Sequence, residues 1–159
     1  MNLLDEINYQ IWAEETFFGC IAGISAEQWT GTIPEIDKAL NKIYAHKAEV
    51  LWFWFQFAKG LTPEDPPDFF SKSQLELKNS IIELLNEMKK LIGTKGNKEL
   101  QLKLPWLEKT YPITSDELIF NGLNHLTYHR GQIAMIMKKL GIEVPETDYN
   151  PYMFEKLGF

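Results

Sequence analysis

The residues best suited to chemistry are the chain's three histidines, His46, His125 and His129. The last two stand four apart in the stretch Asn121-Gly-Leu-Asn-His-Leu-Thr-Tyr-His-Arg-Gly-Gln132. Residues four apart on an α-helix stack on one face, so the spacing predicts two imidazoles side by side. His46 lies between Ile43 and Val50 in a second helix-periodic segment and points with its apolar stripe. Two helices giving two and one histidines to a shared interior would assemble a three-nitrogen metal site. Neutral imidazole suits zinc, nickel, copper or iron. Three protein ligands leave a coordination position open to water or substrate, as catalysis requires. A metal there lowers the pKa of bound water to about 7, or that of a bound thiol below its free value. Spacing alone does not choose between a hydroxide and a thiolate nucleophile. Histidine pairs of this spacing also occur in helices that hold no metal.

The neighbours carry two readings each. Glu49, three residues after His46, is placed to orient a ligand or act as a base, or else to join an ordinary ion pair. Asn121, one turn before His125, is placed to donate to a bound ligand or to serve the helix structurally. Tyr128 is turned about 100° from His129 and is the weakest acid–base candidate. Arg130 cannot share the histidine face and is expected to pair with an acid elsewhere. Gly131 costs about 1 kcal/mol in a helix interior relative to alanine, which a close approach by another helix or chain would justify. Trp52, Trp54 and the phenylalanines around them read as core, with an apolar substrate pocket as the alternative.

These residues need helices to position them, and the chain supplies four long ones. At 159 residues, 45% hydrophobic and 24% charged, it suits one soluble domain. A first helix is expected from about Leu3 to Ile24, with a capping box at Ser25–Gln28 beginning a short extra turn. A second should run from Pro34 to Lys59, and a third from Ser73 to Ile92. Between them, Leu61–Phe70 carries Pro63, Pro66 and Pro67 and reads as an irregular connection that crosses a bundle or rims a site. In Gly93–Ser115, Leu100, Leu102 and Leu104 alternate, and Tyr111-Pro-Ile113 could pair back as a small hairpin. Thr114-Ser-Asp-Glu117 is a capping box that starts the histidine helix, which should end near Leu140. A short helix around Tyr152–Lys156 is expected in the tail. The fold class is therefore all-α, a four-helix bundle with one irregular or hairpin segment.

Composition narrows the function. A net charge of −6, without a Lys/Arg run or Gly-rich phosphate loop, argues against nucleic acid or an anionic membrane as partner. The most apolar run, at Val50–Phe55, is too short to span a bilayer. The start lacks the regions of a signal peptide, and the single cysteine, Cys20, permits no internal disulfide, so a cytoplasmic location is expected. Cys20 itself is expected to pack inertly within the first helix. No Ser-His-Asp or Cys-His arrangement is legible.

Asn124-His-Leu-Thr-Tyr-His-Arg-Gly-Gln-Ile-Ala134, followed by Leu140-Gly-Ile-Glu-Val-Pro145 and Thr147-Asp-Tyr149, resembles the C-terminal signature of the DinB family, within the DinB/YfiT-like superfamily. Ile43–Trp52 resembles that family's second-helix motif with its single histidine, and Asn8-Tyr-Gln-Ile-Trp-Ala13 is similar to its opening. The resemblance implies an up-down-down-up bundle with an unusual crossover, commonly homodimeric. It also implies a divalent metal, zinc or nickel, held at His46, His125 and His129. Superfamily members include transferases and isomerases that use low-molecular-weight thiols of the bacillithiol and mycothiol type. Two functions follow as expectations. One is a metalloenzyme that directs a thiol or water at an electrophile. The other is a non-enzymatic homodimer in which a metal or small ligand steadies the bundle or reports stress. Access to the metal separates them.

Overall fold

A computed structural model describes residues 2–104 and 108–158. Its helices are α1 (Leu3–Ile21), α2 (Ala26–Thr30), α3 (Leu40–Ala58), α4 (Gln74–Lys95), α5 (Ser115–Lys139) and α6 (Tyr149–Leu157), with strands β1 (Glu99–Leu102) and β2 (Tyr111–Thr114). Side chains that cross between helices give the directions. Lys89 donates to Asn8 at 2.8 Å and Gln74 to the Ile21 carbonyl at 2.8 Å, so α1 and α4 are antiparallel. Gln10 reaches Thr127 and Glu14 reaches Arg130, so α1 and α5 run together. His46 meets His125 while Leu51 and Trp54 meet Gly122, so α3 opposes α5. The four long helices therefore run up, down, down, up. Residues 59–73 must travel back along the bundle, about 28 Å for a helix of 19 residues. Pro63, Pro66 and Pro67 keep that strap from coiling.

Three helices start at reciprocal caps. Ser25, Ser73 and Thr114 each cap a helix in a reciprocal box with Gln28, Glu76 and Glu117. β1 and β2 pair antiparallel, with Leu100 opposite Ile113 and Leu102 opposite Tyr111, and Leu102 and Leu104 turn into the core. Residues 105–107, within the segment expected to be a hairpin or loop, lie outside the described residues.

Four details depart from expectation. α3 begins at Leu40 rather than Pro34, because Asp37 takes a φ of 53° and an Ile33–Lys38 bridge closes the preceding residues into a turn. α1 stops at Ile21. Cys20 is exposed, since it is turned about 100° from Ile21 and out of the buried stripe. Of the two partners expected for Gly131, a second helix of this chain is not there among the described residues, since a Cβ would meet nothing within 4 Å, and a second chain is untouched by this. The glycine that faces α3 is Gly122, where a Cβ would meet Leu51 at 3.4 Å and the Trp54 Cβ at 3.6 Å, ordinary van der Waals contact.

A sealed ion cluster ties the other side of the same helices. Lys47 donates to both Glu14 carboxylate oxygens at 2.7 and 2.6 Å, and Arg130 lies 3.5 Å from the same carboxylate. Glu14 and Lys47 are 0% and 1% exposed. Arg130 also donates to Thr127 at 3.1 Å and to the Tyr9 hydroxyl at 3.4 Å, and Tyr9 donates to the Thr147 carbonyl at 2.6 Å. The expected acid partner of Arg130 is thus Glu14, and the tail is fastened through Tyr9. No helix is long and apolar enough to cross a membrane among the described residues.

Candidate metal centre

α5 presents His125 and His129 one turn apart, and α3 brings His46 against both. The Nε2 atoms of His125 and His129 are 2.9 Å apart, and those of His125 and His46 are 3.4 Å apart. One ligand atom from each histidine lies within 4.8 Å of the others. Nitrogens that share one zinc at about 2.05 Å in tetrahedral geometry sit roughly 3.3 Å apart, so the donor set fits a single divalent ion.

The tautomer of His129 follows from its partners. The Gln132 side-chain oxygen takes a hydrogen bond from Lys38 Nζ at 3.1 Å, and an ammonium can only donate. The same oxygen lies 2.9 Å from His129 Nδ1, so Nδ1 carries the hydrogen. His129 Nε2 is therefore a bare lone pair that faces the other two imidazoles. Spacing could have suggested Gln132, three residues after His129. Lys38 had no such signal, because it lies in the turn before α3.

Electrostatics favour neutral rings. Burial foremost, then the neighbouring His129, His46 and Lys47, pulls the His125 pKa down to about 4. Burial also lowers that of His129, against the opposing hydrogen bond to Gln132. At neutral pH both are unprotonated and ready to bind a cation. The three do not all face a closed interior as their stripes suggested. His129 is 4% exposed, but the His46 side chain is 42% exposed and His125 is half-buried. An open cavity of about 500 Å³ reaches His125.

Glu49 and Asn121 both line that cavity. The Glu49 carboxylate is 3.9 Å from His46 Nδ1, beyond hydrogen-bond range and close enough to accept after a small rotation. Tyr128 is exposed, with its ring 5.0 Å from that of His129, and is not among the residues lining the cavity. Trp52 and Trp54 form cavity wall rather than closed core, joined by Pro63 and Pro66 of the strap. The irregular connection does rim the site.

These features define an all-α up-down-down-up bundle with three histidines placed to hold a divalent metal beside an open cavity. The DinB family model matches residues 2–156, and the chain belongs to that family. It is similar to Protein DinB of Bacillus subtilis (strain 168), 23% identical over 158 residues that cover 92% of this chain and 90% of the relative.

Proposed function

We propose that the protein is a metal-dependent enzyme, with His46, His125 and His129 as ligands to zinc or nickel and with a small molecule admitted from the adjoining cavity. The observation that supports this reading is a three-nitrogen cluster that adjoins an open cavity through His125, since a purely structural site would be closed. When bound, the metal would supply Lewis-acid activation of water or of a low-molecular-weight thiol for attack on an electrophile. The chain's own residues do the rest. Gln132 holds His129 in its ligating tautomer. Glu49 is positioned to orient His46 or take a proton at the cavity floor. Asn121 offers an amide to whatever enters. A transferase using a bacillithiol-type thiol and a hydrolase both fit this chemistry, and we place the enzyme in the cytoplasm as a homodimer.

Metal analysis of untagged protein beside His125→Ala tests the site. The expected outcome is about one divalent ion per wild-type chain and marked loss in the variant. Equal, substoichiometric metal in both would sink the reading.

A further inference from the structure

The face of α5 that turns away from the bundle is uncharged for most of its length. Phe120, Asn124, Tyr128, Gly131 and Met135 are all exposed, with Glu117 before them and Lys138 after. At 100° per residue these seven fall within about 50° of one line along the helix. No exposed residue of α5 between Glu117 and Lys138 carries a charge, whereas the exposed side of α4 carries Glu76, Glu83, Glu87, Lys89 and Lys90. Phe120, Tyr128 and Met135 are 55%, 63% and 57% exposed. Gly131 stands between them with open space where a Cβ would be, so its own chain does not require it to be small. Glycine at such a position costs the helix about 1 kcal/mol relative to alanine. A neighbour from outside the chain gives that cost a reason.

The stripe is also complementary to itself. A two-fold axis between Thr127 and Tyr128 lays α5 antiparallel against a copy of α5, and residues equally far from the axis then meet. Phe120 meets Met135 of the other copy, Asn124 meets Gly131, and Glu117 meets Lys138. The missing Cβ of Gly131 leaves room for the Asn124 side chain. Lys138 makes no ion pair within its own chain among the described residues, so Glu117 of the other copy would be its acid. Resting on the homodimer proposed above, we propose that this face is its interface, with two α5 helices crossing antiparallel at Thr127–Tyr128. His125 and His129 flank the axis in sequence, and the Tyr128 ring lies 5.0 Å from that of His129. The join therefore covers Tyr128 and sets both histidine clusters beside the interface.

Sedimentation equilibrium of the full chain should show a dimer. Gly131→Arg puts a long charged side chain into the crossing at a point where its own chain leaves space. Association should weaken at least about a hundredfold while helical content by circular dichroism stays unchanged. Cysteine pairs in a Cys20→Ser background read the register. Phe120→Cys combined with Met135→Cys should form a disulfide between copies on mild oxidation. Either substitution alone should not, because like positions of the two copies stand about 22 Å apart along the helix axis. Should Gly131→Arg fail to fold, the cysteine pair still decides. A dimer that Gly131→Arg leaves intact, no cross-link in the paired variant, or a cross-link from either single cysteine would each overturn this interface and leave the homodimer standing. A wild-type monomer at every concentration up to about 100 µM brings down the homodimer itself, which is a separate and visible result.

Discussion

His46 and Lys47 are neighbours on α3, and His129 and Arg130 are neighbours on α5, yet each pair divides between two clusters of opposite character. The histidines gather beside an open cavity, with lowered pKa values for His125 and His129 that keep those two rings neutral. Lys47 and Arg130 turn about 100° away and close on Glu14 of α1, where the ion cluster is sealed from solvent. One cluster gathers imidazole nitrogens that could hold an incoming cation. The other already holds its counterion. Burial pulls the Lys47 ammonium below its ordinary range, and Glu14 pulls the other way. The sealed cluster joins α1 to the faces of α3 and α5 next to the histidines, so it is placed to fix the rotation that brings the histidines together. Only one of the two clusters is built to exchange anything with solvent.

The largest effect should come from breaking the sealed cluster. Glu14→Gln removes the one anion, among the described residues, of a cluster that also holds two buried cations. An uncompensated buried charge costs about 3–5 kcal/mol, and denaturant unfolding of the metal-free protein would measure it. A loss below about 1 kcal/mol would mean that packing around Gly122, rather than the ion cluster, sets the helix rotation.

An intermediate effect belongs to the open cluster. Gln132→Leu leaves every proposed ligand in place and removes the acceptor that fixes the His129 tautomer. Loss of such a supporting hydrogen bond weakens metal binding about 10–100-fold, and competition against a chromophoric chelator would read it. Denaturant stability should change little, because Gln132 is only partly buried. Unchanged metal affinity would show that Lys38 and Gln132 are bystanders.

The two clusters differed in how far the sequence disclosed them. The i, i+4 spacing of His125 and His129 announced a shared face, and the capping box at Thr114 marked where their helix starts. Arg130 was legible as a residue in need of an acid, but Glu14 was not legible as that acid. A glutamate in an amphipathic helix looks like any solvated charge until tertiary packing buries it. Trp52 and Trp54 read as core for the related reason that periodicity separates apolar from polar faces without separating filled space from cavity. The exposure of Cys20 was missed because cysteine's general tendency to be buried outweighed its position at the edge of the stripe. The turn before α3 hung on a positive φ at Asp37, which residue type alone does not specify.

The smallest effect, and the one that most directly contrasts the clusters, is in the response to pH. His125 in the folded, metal-free protein takes up its proton only near pH 4, whereas an unfolded histidine does so near 6.5. Between those values the unfolded chain binds more protons, so stability rises with pH across the window and is lost as pH falls through it. His129, also lowered, adds in the same direction. Solvent reaches the half-exposed His125 ring, so screening keeps the effect modest. The unfolding midpoint of metal-free protein should drop from pH 6.5 towards pH 5, before carboxylates begin to contribute. His125→Asn should flatten that slope. Glu14→Gln should lower the whole curve without changing its slope there, because it removes no histidine. A slope that survives His125→Asn and disappears in Glu14→Gln would reverse the roles assigned to the two clusters, making the sealed one the titrating site.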